Sequence, residues 1–191
     1  ANDLIAEILA KDPGNEDQRL LAAKFYQSKS QFEAAEDVLS AGIRENEKSF
    51  KLRLMLAELY VNWRKADQAI FSRFKLMQGL QALDVTKPEV YLILASAYLQ
   101  KNDGSQAEGQ YRDGIAANPD STVLHLALAK FYSDSGQIQK AADLIQKVAE
   151  LQPDNVTYRF NLANLYWEDG RKTEANDLIA EILAKDPGNE D

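Results

Sequence analysis

The sequence predicts an all-α protein, a solenoid of antiparallel helix pairs with about five pairs preceded by half of one. Three observations predict it. Tyr26, Tyr60, Tyr98, Tyr132 and Tyr166 recur at steps of 34, 38, 34 and 34 residues. Alanines keep the same clock, at Ala23, Ala57, Ala95, Ala129 and Ala163 before each tyrosine and at Ala35, Ala69, Ala107, Ala141 and Ala175 after it. Within a unit the apolar residues have helical spacing on both sides of a short polar turn, as in Leu124, Leu128, Phe131 and Tyr132, then Ala141, Leu144, Ile145 and Val148.

Taken in order, residues 1–15 read as the second helix of a unit standing alone. Residues 16–49 form a complete pair, whose first helix follows Asn15, an N-cap residue type that accepts an orphan backbone N–H. Residues 50–87 follow Ser49 and carry four extra residues; the stripe Phe71, Phe74, Met77, Leu80 and Leu83 predicts a second helix about one turn longer than the others. Residues 88–121 start with Lys87 at the cap position and Pro88 in the first turn, where its missing N–H costs nothing. Residues 122–155 and 156–189 follow Ser121 and Asn155, with a two-residue tail at 190–191; Asn189 falls at the next cap position. Gly136 and Gly170 stand where the bend between helices needs a positive φ, and Pro119, Pro153 and Pro187 stop the second helices. Small alanines let helices approach while Tyr, Leu and Ile fill the grooves beside them.

The period, the Ala-x-x-Tyr element, the later Ala and the closing Pro, clearest in FNLANLYWEDGRKTEANDLIAEILAKDP from Phe160 to Pro187, resemble the tetratricopeptide repeat. The resemblance extends over essentially the whole chain. It implies a right-handed superhelix with a concave face lined by the first helix of each pair, and a non-catalytic scaffold that binds a protein or peptide there.

Composition narrows the alternatives. The net charge of −8 comes without a basic block, so nucleic acid is not an expected partner. No apolar run reaches the roughly 20 residues of a membrane span. There is no cysteine and one histidine, His125, so a thiol nucleophile is excluded and a metal or catalytic constellation has almost nothing to build on; no cofactor is expected. His125 reads as a core or boundary imidazole. The Asn155 sequon coincides with a cap, and acidic turns such as KDPGNED lack the alternating ligands and central glycine of a calcium loop. Neither an initiating Met nor a signal peptide is present, which predicts a processed or excised piece of a longer chain; bacterial cytoplasm and periplasm both stay open.

On the face implied by the resemblance, spacing places Lys24, Met55, Glu58, Ile93, Ser96, Lys130, Asn161, Asn164 and Trp167 as the expected ligand groove. Asparagine amides can clamp a peptide backbone through donor and acceptor together, and an exposed Trp is a frequent binding anchor. Some relatives hold a carboxylate tail with a basic clamp; Glu89 here would oppose one.

Finally, residues 1–17 and 175–191 are identical, in phase with the array. This is read as a slice of a longer duplicated array or an engineered copy, uncapped at both ends. Leu4, Ile5, Ile8 and Leu9, with their counterparts Leu178, Ile179, Ile182 and Leu183, are the expected self-association residues. Head-to-tail self-assembly is thus the alternative to a peptide scaffold. A second alternative is the repeat portion of a bacterial envelope or export protein.

Overall fold

In the computed structural model, which describes residues 2–65, 68 and 86–185, ten α-helices and no strands occur among the described residues. They are α1 (Asn2–Lys11), α2 (Glu16–Ser28), α3 (Phe32–Glu45), α4 (Phe50–Asn62), α5 (Pro88–Gln100), α6 (Gly104–Ala117), α7 (Thr122–Asp134), α8 (Ile138–Leu151), α9 (Val156–Glu168) and α10 (Lys172–Lys185). The chain is an all-α helical-repeat solenoid. Phe71, Phe74, Met77, Leu80 and Leu83, on which the lengthened helix was expected, lie outside the described residues, as do Ala69, Pro187 and Asn189.

Two compact units are present, Ala1–Gln110 and Tyr111–Asp191. In the first, α1 packs on α2, α2 on α3, α3 on α4, and α4 on both α2 and α5. Its core gathers Ala23, Tyr26, Ala35, Leu39, Leu52 and Leu59. Leu39 and Leu59 are wholly buried, which stabilises the fold by about 1.5–3 kcal/mol for each side chain. The second unit pairs α7 with α8, α8 with α9 and α9 with α10 around Leu124, Leu128, Tyr132, Val148 and Leu162. The clocked alanines are buried in both units wherever they are described.

The turn between paired helices is built the same way five times. The residue at the bend is left-handed: Ser30 (φ 56°), Arg64 (59°), Asn102 (58°), Gly136 (71°) and Gly170 (83°). The next residue's N–H reaches back to the carbonyl of the clocked tyrosine: Gln31 to Tyr26 at 2.9 Å, Lys65 to Tyr60 at 2.7 Å, Asp103 to Tyr98 at 2.9 Å, Gln137 to Tyr132 at 2.8 Å and Arg171 to Tyr166 at 2.8 Å. With the bend residue's own N–H bonded three residues back, this is the Schellman arrangement, which satisfies carbonyls a helix end leaves open. Gly136 and Gly170 adopt the positive φ expected of them, and the other three bends use Ser30, Arg64 and Asn102, which accept left-handed backbone at a cost.

The caps divide. Asn15 Oδ1 accepts from the Gln18 N–H at 3.0 Å, Ser49 Oγ from Leu52 at 3.1 Å, and Asn155 Oδ1 from Thr157 at 3.1 Å. Pro88 begins α5 after Lys87. Ser121 departs from the expectation, because its side chain makes no cap bond. Its carbonyl instead accepts from His125, through the backbone N–H at 3.2 Å and through Nδ1 at 2.9 Å. The imidazole is thereby buried with Nδ1 as donor, a packing role.

One pairing was not foreseen. Arg19 of α2 is only 6% exposed. Its Nε donates to the Pro13 carbonyl at 2.7 Å and its Nη1 to the Val38 carbonyl at 3.1 Å. The stem passes over Gly42 of α3, where an added Cβ would stand 2.4 Å from Arg19 Cδ. Glycine here makes room for a buried cation.

Candidate functional site

In the second unit, α7 and α9 present a cleft of about 270 Å³. Its floor is apolar, from Leu126 and Ala129 of α7, Ile145 of α8 and Leu165 of α9; its walls are Lys130, Ser133 and Asp134 on one side and Asn161, Asn164 and Glu168 on the other. Helical geometry explains the α9 wall, since residues three, four and seven apart share one face. Three of the sequence-predicted residues, Lys130, Asn161 and Asn164, are therefore brought together.

Lys130 Nζ donates to Asp134 at 3.1 and 3.2 Å, so one positive charge enters the cleft already paired with a carboxylate. Asp134 also acts on Tyr111, whose hydroxyl is pushed above its ordinary range first by burial and then by that negative charge. Asn161 and Asn164 are exposed, and among the described residues neither side-chain amide has a partner within the chain. Each amide offers two N–H donors and a carbonyl acceptor. The arrangement can therefore take up peptide groups in an extended segment, with apolar side chains set against the floor.

Trp167 does not line this cleft. It is 50% exposed, with Lys172 Nζ 5.2 Å from its ring centroid. One residue before Glu168, it is rotated about 100° from it around α9 and flanks the site. Its neighbour Tyr166 lies under the Arg171 guanidinium, 4.0 Å from the ring. Arg171 also bonds Gln139 of α8 at 3.0 Å and both carboxylate oxygens of Glu174, which holds the Glu174 carboxyl below its usual range and raises the guanidinium. Ile145 and Ser133 were missed because the sequence pattern assigns the lining to one periodic stripe per first helix.

In the first unit the predicted residues separate. Lys24 of α2 is exposed, Glu58 of α4 and Ile93 and Ser96 of α5 are half-buried, and Met55 is buried in the core with Leu39 and Leu59. Met55 is thus a packing residue, because α4 is covered by neighbours on more than one side. Glu58 has its carboxyl raised above the ordinary 4.5, chiefly by burial; Lys24 pulls it down and Glu89 pushes it up. Around Glu58, among the described residues, one ammonium, Lys24, is set against a second carboxylate, Glu89.

A second cleft, of about 440 Å³ and almost wholly apolar, lies between α1 and α2. Leu4, Ile5, Ile8 and Leu9 line it with Leu21 and Phe25. At the other copy of this sequence, Ile182 is buried, Leu178 and Ile179 are half-buried and Leu183 is exposed. Among the described residues no group of three or more potential metal ligands occurs, and no helix is long and apolar enough to cross a membrane.

Two family models described as tetratricopeptide repeat match residues 88–131 and 126–190, together more than half of the chain. No curated protein matches in sequence. Among solved structures the chain is similar to MamA, at 21% identity and a TM-score of 0.63, covering 88% of this chain and 90% of that one. It is similar to TTC0263, a thermophilic repeat protein of Thermus thermophilus, at 22% identity and 0.61, covering 92% and 93%. YrrB, a protein of the same repeat class with an unusual peptide-binding site, matches at 11% identity and 0.56, covering 97% and 93%. At these identities the likeness is one of fold.

Proposed function

Because the chain belongs to the tetratricopeptide repeat family, whose fold serves protein interaction, we propose that it is a non-catalytic scaffold that binds an extended peptide segment of a partner protein in the cleft between α7 and α9. The observation that carries this reading is the pair of unengaged amides, Asn161 and Asn164, opening on one cleft with an apolar floor. With Lys130 paired to Asp134, Glu168, unpaired among the described residues, leaves the walls acidic on balance, which favours a segment carrying a basic side chain. Trp167, exposed beside the cleft, supplies an apolar contact to a residue that overhangs it. The peptide-binding site of YrrB is a precedent on the same fold.

Selection of a random-peptide library on the full chain, followed by titration of the selected peptides, tests it. Asn161→Ala and Asn164→Ala should each weaken binding about tenfold, the loss of one to two hydrogen bonds, with unchanged circular dichroism. Peptides that bind the parent and both variants equally would place the site elsewhere.

A further inference from the structure

The identical segments place one helix in two settings. As α1 it packs on the helix that follows it, α2; as α10 it packs on the helix before it, α9, and among the described residues each has that one neighbour. The exposures are complementary. Ile182 is 5% exposed against α9, while Ile8, the same residue of the same helix, is 39% exposed. Leu4 is 60% exposed, and its counterpart Leu178 is half-buried. In the other direction Leu183 is 55% exposed, and its counterpart Leu9 is half-buried against α2. The chain itself therefore shows what covers the open face of α1, namely a helix bearing the side chains of α9.

We propose that the apolar cleft at α1 and α2 receives α9 of a second copy, with α1 of one molecule taking the place of α10 in the other. Residues 1–11 and 175–185 are the same. What α9 gives up on releasing its own α10 it therefore recovers, side chain for side chain, on the neighbour's α1. The surplus is the packing that α9 then gains on α2 of the neighbour, of the kind that α2 makes with α4 within the chain. Exchange of an identical element is a low-cost route to association, and here it is heterologous, so it propagates head to tail. Tethered α10 competes for the same surface at high effective concentration. Association of the parent is accordingly weak.

The test uses the full chain in sedimentation velocity across a range of concentrations. Ile182→Asp buries a charge where α10 meets α9 and expels α10, leaving the identical α1 helices intact. The concentration at which it associates should fall at least about tenfold below that of the parent, because its competitor is gone. Ile8→Asp changes an exposed residue, keeps the parent's helix content and thermal midpoint, and should abolish association, alone and in combination with Ile182→Asp. The proposal is overturned if Ile182→Asp associates no more readily than the parent, or if its association survives Ile8→Asp, which would mark it as aggregation of exposed surface.

Discussion

Substituting Gly42 by alanine isolates the packing of the buried arginine. The new Cβ would lie 2.4 Å from Arg19 Cδ and 2.9 Å from Leu52 Cδ1, against an optimum near 3.5–4.0 Å for carbon pairs. The leucine methyl is the end of a flexible side chain and can turn away. Arg19 can withdraw only by giving up its bonds to the Pro13 and Val38 carbonyls. Hydrogen bonds from a charged donor contribute about 1.5–3 kcal/mol each, and forcing a methylene into a packed core costs about 1–3 kcal/mol. Better helix propensity returns up to about 1 kcal/mol. The net expectation for Gly42→Ala is a loss of about 1–2 kcal/mol, read as a lower urea midpoint in circular dichroism. In an Arg19→Ala background the obstruction is gone, so the same substitution should change sign and stabilise by up to about 1 kcal/mol. If the two changes add to within about 0.5 kcal/mol, the pairing of Arg19 with Gly42 is not what holds that glycine small.

At the bends, Gly136→Ala places a methyl in open space, so its cost of about 1 kcal/mol is conformational. Arg64→Gly relieves the same backbone strain and should raise the urea midpoint by the equivalent of about 0.5–1 kcal/mol after the added unfolded-state entropy. For Glu58 the folded carboxyl is raised, so the folded state holds its proton more tightly than the unfolded chain does. Stability is then greatest below the ordinary 4.5 and declines as pH rises through the folded value. Glu58→Gln should raise the urea midpoint at pH 7 and leave it nearly unchanged at pH 4; equal gains at both would show that ionisation is not the cause.

The local codes were legible in the sequence. Ala23, Ala95 and Ala163 had to be small because helices cross over them, and Pro88 could only open a helix. Asn161, Asn164 and Lys130 reached one cleft because a helix face is fixed by spacing. What escaped depends on partners distant in sequence. Nothing in the letters around Arg19 announces that its stem needs Gly42, 23 residues later. Met55 had the spacing of a groove residue, and only the packing of α4 on α2 and α3 shows why it is covered. Ser121 looked like a cap, but its hydroxyl makes no cap bond, and its carbonyl takes the side chain of His125 on the next turn.

The five bends have a consequence for how such chains diverge. The family models match from residue 88 onward, a stretch whose bends carry Asn102, Gly136 and Gly170, and leave unmatched the bends at Ser30 and Arg64. Yet the main-chain bonds at all five are the same. The joint is specified by amides and carbonyls, which every residue but proline supplies, and the side chain at the bend sets only a modest toll. Mutation can therefore rewrite the visible alphabet of these joints while the joint persists, and ancestry fades from the letters sooner than from the hydrogen bonds.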